Sequence, residues 1–291
     1  MDITVGLAGA GRRAAEVHAP AIASCPGLVF AGVWAPSPKA ARELAESHGV
    51  RAFARYDELI DRCDAIVYAV PPATQAELAV LAMPHVKAVL LDRPIAGDLA
   101  GAEELAMAAT SARVLTQLAL TWRYSSTVRE FLTTEVRRTR PQGGSGRFVS
   151  APPVESASPL RAERSVLRNL GPDLIDLLDA ALGRTVAVHA HGDPSGWMGL
   201  LLEHRGGRFS EASLYATRNV GSHRAAVEVF GPGGVAAVDF ATAVGRDAHD
   251  TMIAEFAESA ARNRAHELDV HHGLHLQQLI EAADTELLAG Q

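Results

Sequence analysis

The first apolar run, Ile3-Thr4-Val5-Gly6-Leu7-Ala8, is short, continuous and almost without a polar face, the pattern of a strand buried on both sides. It runs into Gly9-Ala10-Gly11 and then an alanine-rich helical stretch over 12–24. Further apolar strands at 28–34, 65–70 and 88–91 are separated by helical stretches at 39–48, 56–62 and 75–83. Strands that alternate with helices in this way are parallel, because neighbours pointing the same way need a crossover between them. An apolar strand at 114–120 closes the series.

The pattern changes after residue 123. A helix at 126–137 leads to a turn cluster, Pro141-Gln142-Gly143-Gly144, and a second helix spans 165–181. Strand segments at 147–150, 186–190, 199–203, 212–216, 225–230 and 235–240 follow one another through turns such as Arg205-Gly206-Gly207 and Gly231-Pro232-Gly233-Gly234. Short glycine turns between strands predict antiparallel hairpins. The chain ends on helices at 248–263 and 273–288. The expected fold is therefore α/β: a doubly wound parallel sheet over 1–123, then an α+β domain over 124–291 with an open, mainly antiparallel sheet. A length of 291 residues agrees with two domains.

Composition narrows the function. No apolar run reaches the roughly 18–20 residues that span a bilayer, and the start of the chain shows no basic leader, so neither membrane nor export is expected. A net charge of −7 gives no attraction to phosphate backbones, and Arg137-Arg138-Thr139-Arg140 reads as a solvated helix end. Nucleic acid is thus not an expected partner. Cys25 and Cys63 are the only cysteines and show no ligand spacing, which suits a reducing cytoplasm. His266, His271, His272 and His275 lack a completing thiol or regularly spaced acid, so no metal site is expected.

Gly9-Ala10-Gly11-Arg12-Arg13-Ala14 fits the G-x-G-x-x-G/A pattern between a strand and a helix. That context makes the string a dinucleotide turn of the Rossmann kind: one glycine for the tight turn, the next for close approach of a pyrophosphate, a small residue for helix–strand packing. The acid that usually binds the adenine ribose is absent, and Ala35-Pro36-Ser37-Pro38-Lys39 stands in its place. Without a carboxylate a 2′-phosphate is not repelled, and Ser37, Lys39 and Arg12 are candidate contacts. The expected cofactor is NADP, with NAD as the alternative.

Further strings line up in order behind the turn: Val70-Pro71-Pro72, Leu91-Asp92-Arg93-Pro94, Gly171-Pro172-Asp173-Leu174-Ile175-Asp176 and Gly273-Leu274-His275-Leu276-Gln277. Together they resemble the Gfo/Idh/MocA family of NAD(P)-dependent oxidoreductases over essentially the whole chain. The resemblance implies that Pro71 and Pro72 line the nicotinamide ribose and that Pro94 is a cis proline. It puts Arg93 where the family has a lysine beside nicotinamide and substrate. Asp173 stands where the family has its acid/base histidine, and Asp176 matches the aspartate that holds the substrate. Arg123, at the junction of the halves, becomes a candidate cofactor contact, with a role in domain packing as the alternative. A homodimer or homotetramer is the expected assembly, with Trp197 and Tyr215 on the sheet face that associates.

The departures at Arg93 and Asp173 bear on the chemistry. Arginine keeps the charge but does not relay a proton, whereas aspartate exchanges one. Asp173 and Asp176 are three apart on one helix and share a face, which favours holding one proton between them. Asp173 also reads as an acid at a helix N-terminus opened by Gly171-Pro172. The functional readings are hydride transfer to or from a hydroxyl, carbonyl or imine of a small sugar-like molecule, a non-redox elimination, isomerisation or cyclisation in the same cleft, or a non-catalytic nucleotide-binding subunit.

Overall fold

Six strands form a parallel sheet with the N-terminal strand near its centre: β1 (Ile3–Ala8), β2 (Leu28–Trp34), β3 (Arg51–Ala52), β4 (Ala65–Tyr68), β5 (Ala88–Leu91) and β6 (Leu115–Leu118), in the order β3-β2-β1-β4-β5-β6. The computed structural model describes residues 2–150, 166–194, 196–216, 224–241, 243 and 245–289. Connection direction reverses between β1 and β4, the switch point at which such sheets bind ligands beyond their strand ends. Every residue of β4 and β5 is buried, which is why these strands read as unbroken apolar runs. The crossovers are α1 (Ala19–Ser24), α2 (Pro38–His48), α3 (Tyr56–Ile60), α4 (Pro72–Ala82) and α5 (Leu99–Ala112). Ahead of α1 the stretch read as uniform helix forms a π-type turn, Ala14–His18, because Pro20 has no N–H to return to the Glu16 carbonyl.

The second sheet holds β7 (Gly143–Ser150), β8 (Thr185–Gly192), β9 (Trp197–His204), β10 (Arg208–Ala216), β11 (Arg224–Gly231) and β12 (Gly234–Asp239), ordered β12-β11-β7-β10-β9-β8. All neighbours are antiparallel except β7 and β10, which are parallel. Helices α6 (Ser126–Glu130) and α7 (Val136–Thr139) precede β7, and α8 (Val166–Leu182) follows it. Gly143 and Gly144, read as a turn, are instead the first residues of β7. A Cβ on Gly144 would stand 2.7 Å from the Glu228 carbonyl, and one on Gly146 2.8 Å from Leu174 of α8. The glycines thin the strand so that α8 can lie on it.

Gly171-Pro172 does not open a helix either, since α8 runs Val166–Leu182 with Pro172 inside it. Gly171 is small for another reason: a Cβ there would meet Ile280 at 2.7 Å, where the last helix packs. Asp173 is consequently an interior helix residue and not an N-terminal one. The Pro- and Ser-rich stretch at 151–163 reads as a loop in the sequence, and it lies outside the described residues.

Helices α9 (Arg246–Arg262) and α10 (Val270–Ala289) end the chain, and residues 246–275 pack with the parallel sheet. Strand β6 is that sheet's edge, and the returning chain covers it: Leu118 N donates to the Leu268 carbonyl (2.8 Å), Gln117 Nε2 to Met252 O (2.9 Å) and Val270 N to Thr116 Oγ1 (2.9 Å). The compact units are thus Met1–Thr121 with Arg246–His275, and Trp122–Gly245 with Leu276–Gln291, where the sequence pattern had placed a single break at 123. Among the described residues no helix is long and apolar enough to cross a membrane.

Candidate active site

In the first unit the glycine turn sits at the end of β1. Gly9 has φ +128°, its N–H donates to the Trp34 carbonyl at 2.7 Å, and a Cβ on it would collide with the Ala69 carbonyl. Gly11 is exposed, and nothing lies within 4 Å of where its Cβ would stand. A bare turn leading into a helix, with open space above the second glycine, fits a dinucleotide pyrophosphate. Arg12 is exposed and paired with Glu16 at 2.9 Å. Arg13 turns elsewhere: its Nε lies 2.7 Å from Asp92 Oδ2, and its Nη2 3.5 Å from the Ala119 carbonyl and from Thr121 Oγ1. At the end of β2, Ser37 is the N-cap of α2 and accepts from Ala40 N at 3.4 Å, while Lys39 lies 3.7 Å from Glu43. Ser37 and Lys39 are both exposed.

Pro71 and Pro72 open α4, with Pro72 in its first turn. The Asp92-Arg93-Pro94-Ile95 turn leaves β5, and its Arg93–Pro94 peptide is cis. Asp92 Oδ1 accepts from Arg93 N at 2.9 Å, and the buried Gln75 side chain bonds to the backbone of Asp92 and Ile95. His18 is fully buried close to this turn, and neither ring nitrogen has a hydrogen-bond partner among the described residues. Burial, reinforced by the charge of Arg13 and opposed by Asp92, pushes its pKa down to about 3. His249 on α9 is also held below the usual range, first by burial and then by Arg13.

In the second unit Asp173 and Asp176 are buried on α8, 4% and 1% exposed. Arg123 Nη1 donates to Asp176 Oδ1 at 2.8 Å, so an arginine supplies a counter-charge to Asp176. Arg123, expected at the cofactor, is itself fixed: Arg129 Nε donates to its carbonyl at 2.7 Å and stacks over Tyr124 at 5.5 Å. A separate Ser210–His204 contact (2.8 Å) resembles a nucleophile pair but is closed to solvent. His204 Nδ1 donates to the Gly183 carbonyl at 2.6 Å, which fixes the tautomer and ties the end of α8 to β9. The cluster is structural.

Gln75 and His18 carried no local signal. Each is a polar residue in a small-residue helical stretch, and what matters about each is a partner, or its absence, far along the chain.

Residues 3–120 match a family model described as an oxidoreductase family with an NAD-binding Rossmann fold. Glucose-6-phosphate 3-dehydrogenase of Bacillus subtilis is 29% identical over 124 residues, 43% of this chain and 35% of that protein; the alignment thus spans about a third of its length. Among solved structures, UDP-N-acetylglucosamine 3-dehydrogenase GnnA from Acidithiobacillus ferrooxidans superposes with a TM-score of 0.87 at 20% identity, covering 99% of both chains. GenD2 from gentamicin A biosynthesis, in complex with NAD, gives 0.87 at 19% identity over 100% of this chain and 95% of its own. At these identities the structures establish the shared fold.

Proposed function

We propose, from the match of residues 3–120 to the Gfo/Idh/MocA oxidoreductase model, that this chain is an NAD(P)-dependent dehydrogenase of a small polar, sugar-like molecule. The observation that carries the reading is the open backbone at Gly11, at the end of the switch-point strand β1. The relatives named as sugar-derivative dehydrogenases support the substrate class.

A bound nicotinamide dinucleotide supplies the hydride transfer. The chain's own residues bind, orient and place charge. The Gly9-Ala10-Gly11 backbone holds the pyrophosphate. Pro71, Pro72 and Pro94 shape the wall for the nicotinamide ribose. Arg93 offers a fixed positive charge to oxygen as negative charge develops on it. Asp173 exchanges the proton of the reacting hydroxyl, and Asp176, held by Arg123, orients the substrate. We assign NADP as the preferred cofactor, because Ser37 and Lys39 are exposed at the end of β2 where no carboxylate stands. The free thiols of Cys25 and Cys63 support a cytoplasmic setting.

We further infer a homo-oligomer formed by the open face of the second sheet. Phe209, Gly143, Phe230 and Val235 stand in one cross-strand row, with the Phe209, Phe230 and Val235 side chains 59%, 40% and 68% exposed. Glu211, Ser145 and Glu228 form the next row, and Arg147 lies in the third. A second copy turned about an axis across the strands would bring its Arg147 between these two carboxylates, and the exposed rings against each other.

Fluorescence titration of NADPH and NADH into the wild type and Gly11→Val tests the cofactor assignment. The wild type saturates, with NADPH the tighter ligand. Gly11→Val binds at least about tenfold more weakly at an unchanged melting temperature, because the added side chain fills the phosphate approach. No saturable binding of either nucleotide at millimolar concentration rejects the reading.

A further inference from the structure

Gln75 is 0% exposed on α4, and the three hydrogen bonds of its side chain end on one turn. Its Nε2 donates to the carbonyls of Asp92 (2.9 Å) and Ile95 (3.0 Å), and its Oε1 accepts from Asp92 N (2.8 Å). The two residues between those anchors are Arg93 and Pro94. One carboxamide thus grips the turn at both ends, using both donor hydrogens and its acceptor oxygen. No other side chain of this length has that set: glutamate accepts but does not donate, and methionine does neither. A second brace comes from Asp92, whose Oδ2 lies 2.7 Å from Arg13 Nε while its Oδ1 accepts from Arg93 N at 2.9 Å.

We propose that Gln75 is a positioning residue, fixing the Asp92–Ile95 turn so that Arg93 and Pro94 present a preformed wall to the nicotinamide end of the dinucleotide. This rests on the function proposed above. Gln75 touches no ligand and acts through the backbone it holds. A turn gripped only by its own sequence would sample other conformations, and each ligand encounter would then have to select the competent one. The glycine turn does not depend on this grip. Gly9 N donates to the Trp34 carbonyl and the turn lies close against the Ala69 carbonyl, so the adenosine and pyrophosphate end has anchors apart from Gln75.

That independence supplies the test. ADP-ribose carries the adenosine and pyrophosphate without nicotinamide, and NADH carries all three. Calorimetric titration of each into full-length wild type, Gln75→Met and Gln75→Glu separates the two ends of the site. Gln75→Met keeps the volume and loses every bond, whereas Gln75→Glu keeps only the acceptor. We expect both variants to bind ADP-ribose within about twofold of wild type and NADH about tenfold more weakly, with amide exchange at Asp92 faster by about tenfold or more. Parallel weakening of both ligands would show a merely structural role and overturn the proposal, as would unchanged NADH binding with unchanged exchange. If Gln75→Met does not fold, Gln75→Glu carries the same comparison. A wild type that binds neither ligand rejects the dehydrogenase reading itself, an outcome visible before any variant is compared.

Discussion

Arg123 Nη1 and Asp176 Oδ1 lie 2.8 Å apart with side chains only 13% and 2% exposed, a buried ion pair reaching across 53 residues of sequence. Removing one partner of such a pair strands the other charge away from water, which costs far more than the pair contributes. Arg123→Ala is expected to lower unfolding free energy by about 3–5 kcal/mol. The double variant Arg123→Met with Asp176→Leu should recover much of that loss, because both desolvated charges then disappear together. Urea unfolding of the three proteins measures it, and a single variant within 1 kcal/mol of wild type (about sixfold or less in the folding equilibrium) would contradict the pairing.

His18 sets an acid limit on stability. Its folded-state pKa of about 3 lies below the ordinary value of 6.5, so in the fold the ring stays neutral while the unfolded chain takes up a proton. The unfolded state therefore binds more protons between those two values, and stability is lost as pH falls below 6.5. The cost reaches about 2 kcal/mol by pH 5, at 1.36 kcal/mol per unit. His18→Leu should flatten that part of the pH–stability curve, leaving the smaller contributions of His204 and His249, whose pKa values are lowered in the same direction. Thermal melts of the two proteins at pH 5 and pH 7 decide it; equal losses in both would place the acid sensitivity elsewhere.

Local pattern made the parallel half legible. Strand β5 and the strand-turn-helix at Gly9–Gly11 could be read because buried parallel strands are short apolar runs and because Gly9 has no tolerated alternative against Ala69. Glycine misled where its purpose was close approach. Gly143-Gly144 and Gly171-Pro172 look like chain breakers, yet they sit where a neighbouring strand, a helix or Ile280 needs room. Periodicity reports which face is buried and says nothing of which element lies against it. For the same reason the Arg123–Asp176 and Gln75–Asp92 partnerships were invisible, although Arg123 and Asp176 had been singled out.

The charge pattern on the open sheet predicts how the assembly responds to a single reversal. Arg147 stands in the row beside Glu211 and Glu228, so Arg147→Glu would set three carboxylates against the same group on a second copy. Light scattering should show the wild type above the 30.7 kDa of one chain, and the variant shifted to that mass at micromolar concentration. A wild type that is already monomeric removes the inferred interface. A variant that remains associated moves the contact to another face.

On the resemblance, Arg93 and Asp173 stand where the family carries lysine and histidine, and we propose that this exchange bears on the chemistry the chain performs. If hydride transfer is retained, Arg93→Lys and Asp173→His should keep or raise turnover, because lysine can give up the proton that arginine keeps and histidine exchanges one near neutral pH. An enzyme that had turned to elimination or isomerisation would lose its reaction in the same variants, since it would depend on a permanent guanidinium and a carboxylate. Arg93→Ala and Asp173→Asn give the scale: a positioned acid–base group contributes about 10²–10⁴ in rate, so losses below about threefold would remove both residues from the chemistry. Nicotinamide absorbance followed alongside product, over a panel of sugar phosphates and nucleotide sugars, reads the answer directly. Stoichiometric change in the two signals sustains the dehydrogenase. Product formed while the nicotinamide stays in one oxidation state assigns the chain a non-redox activity instead.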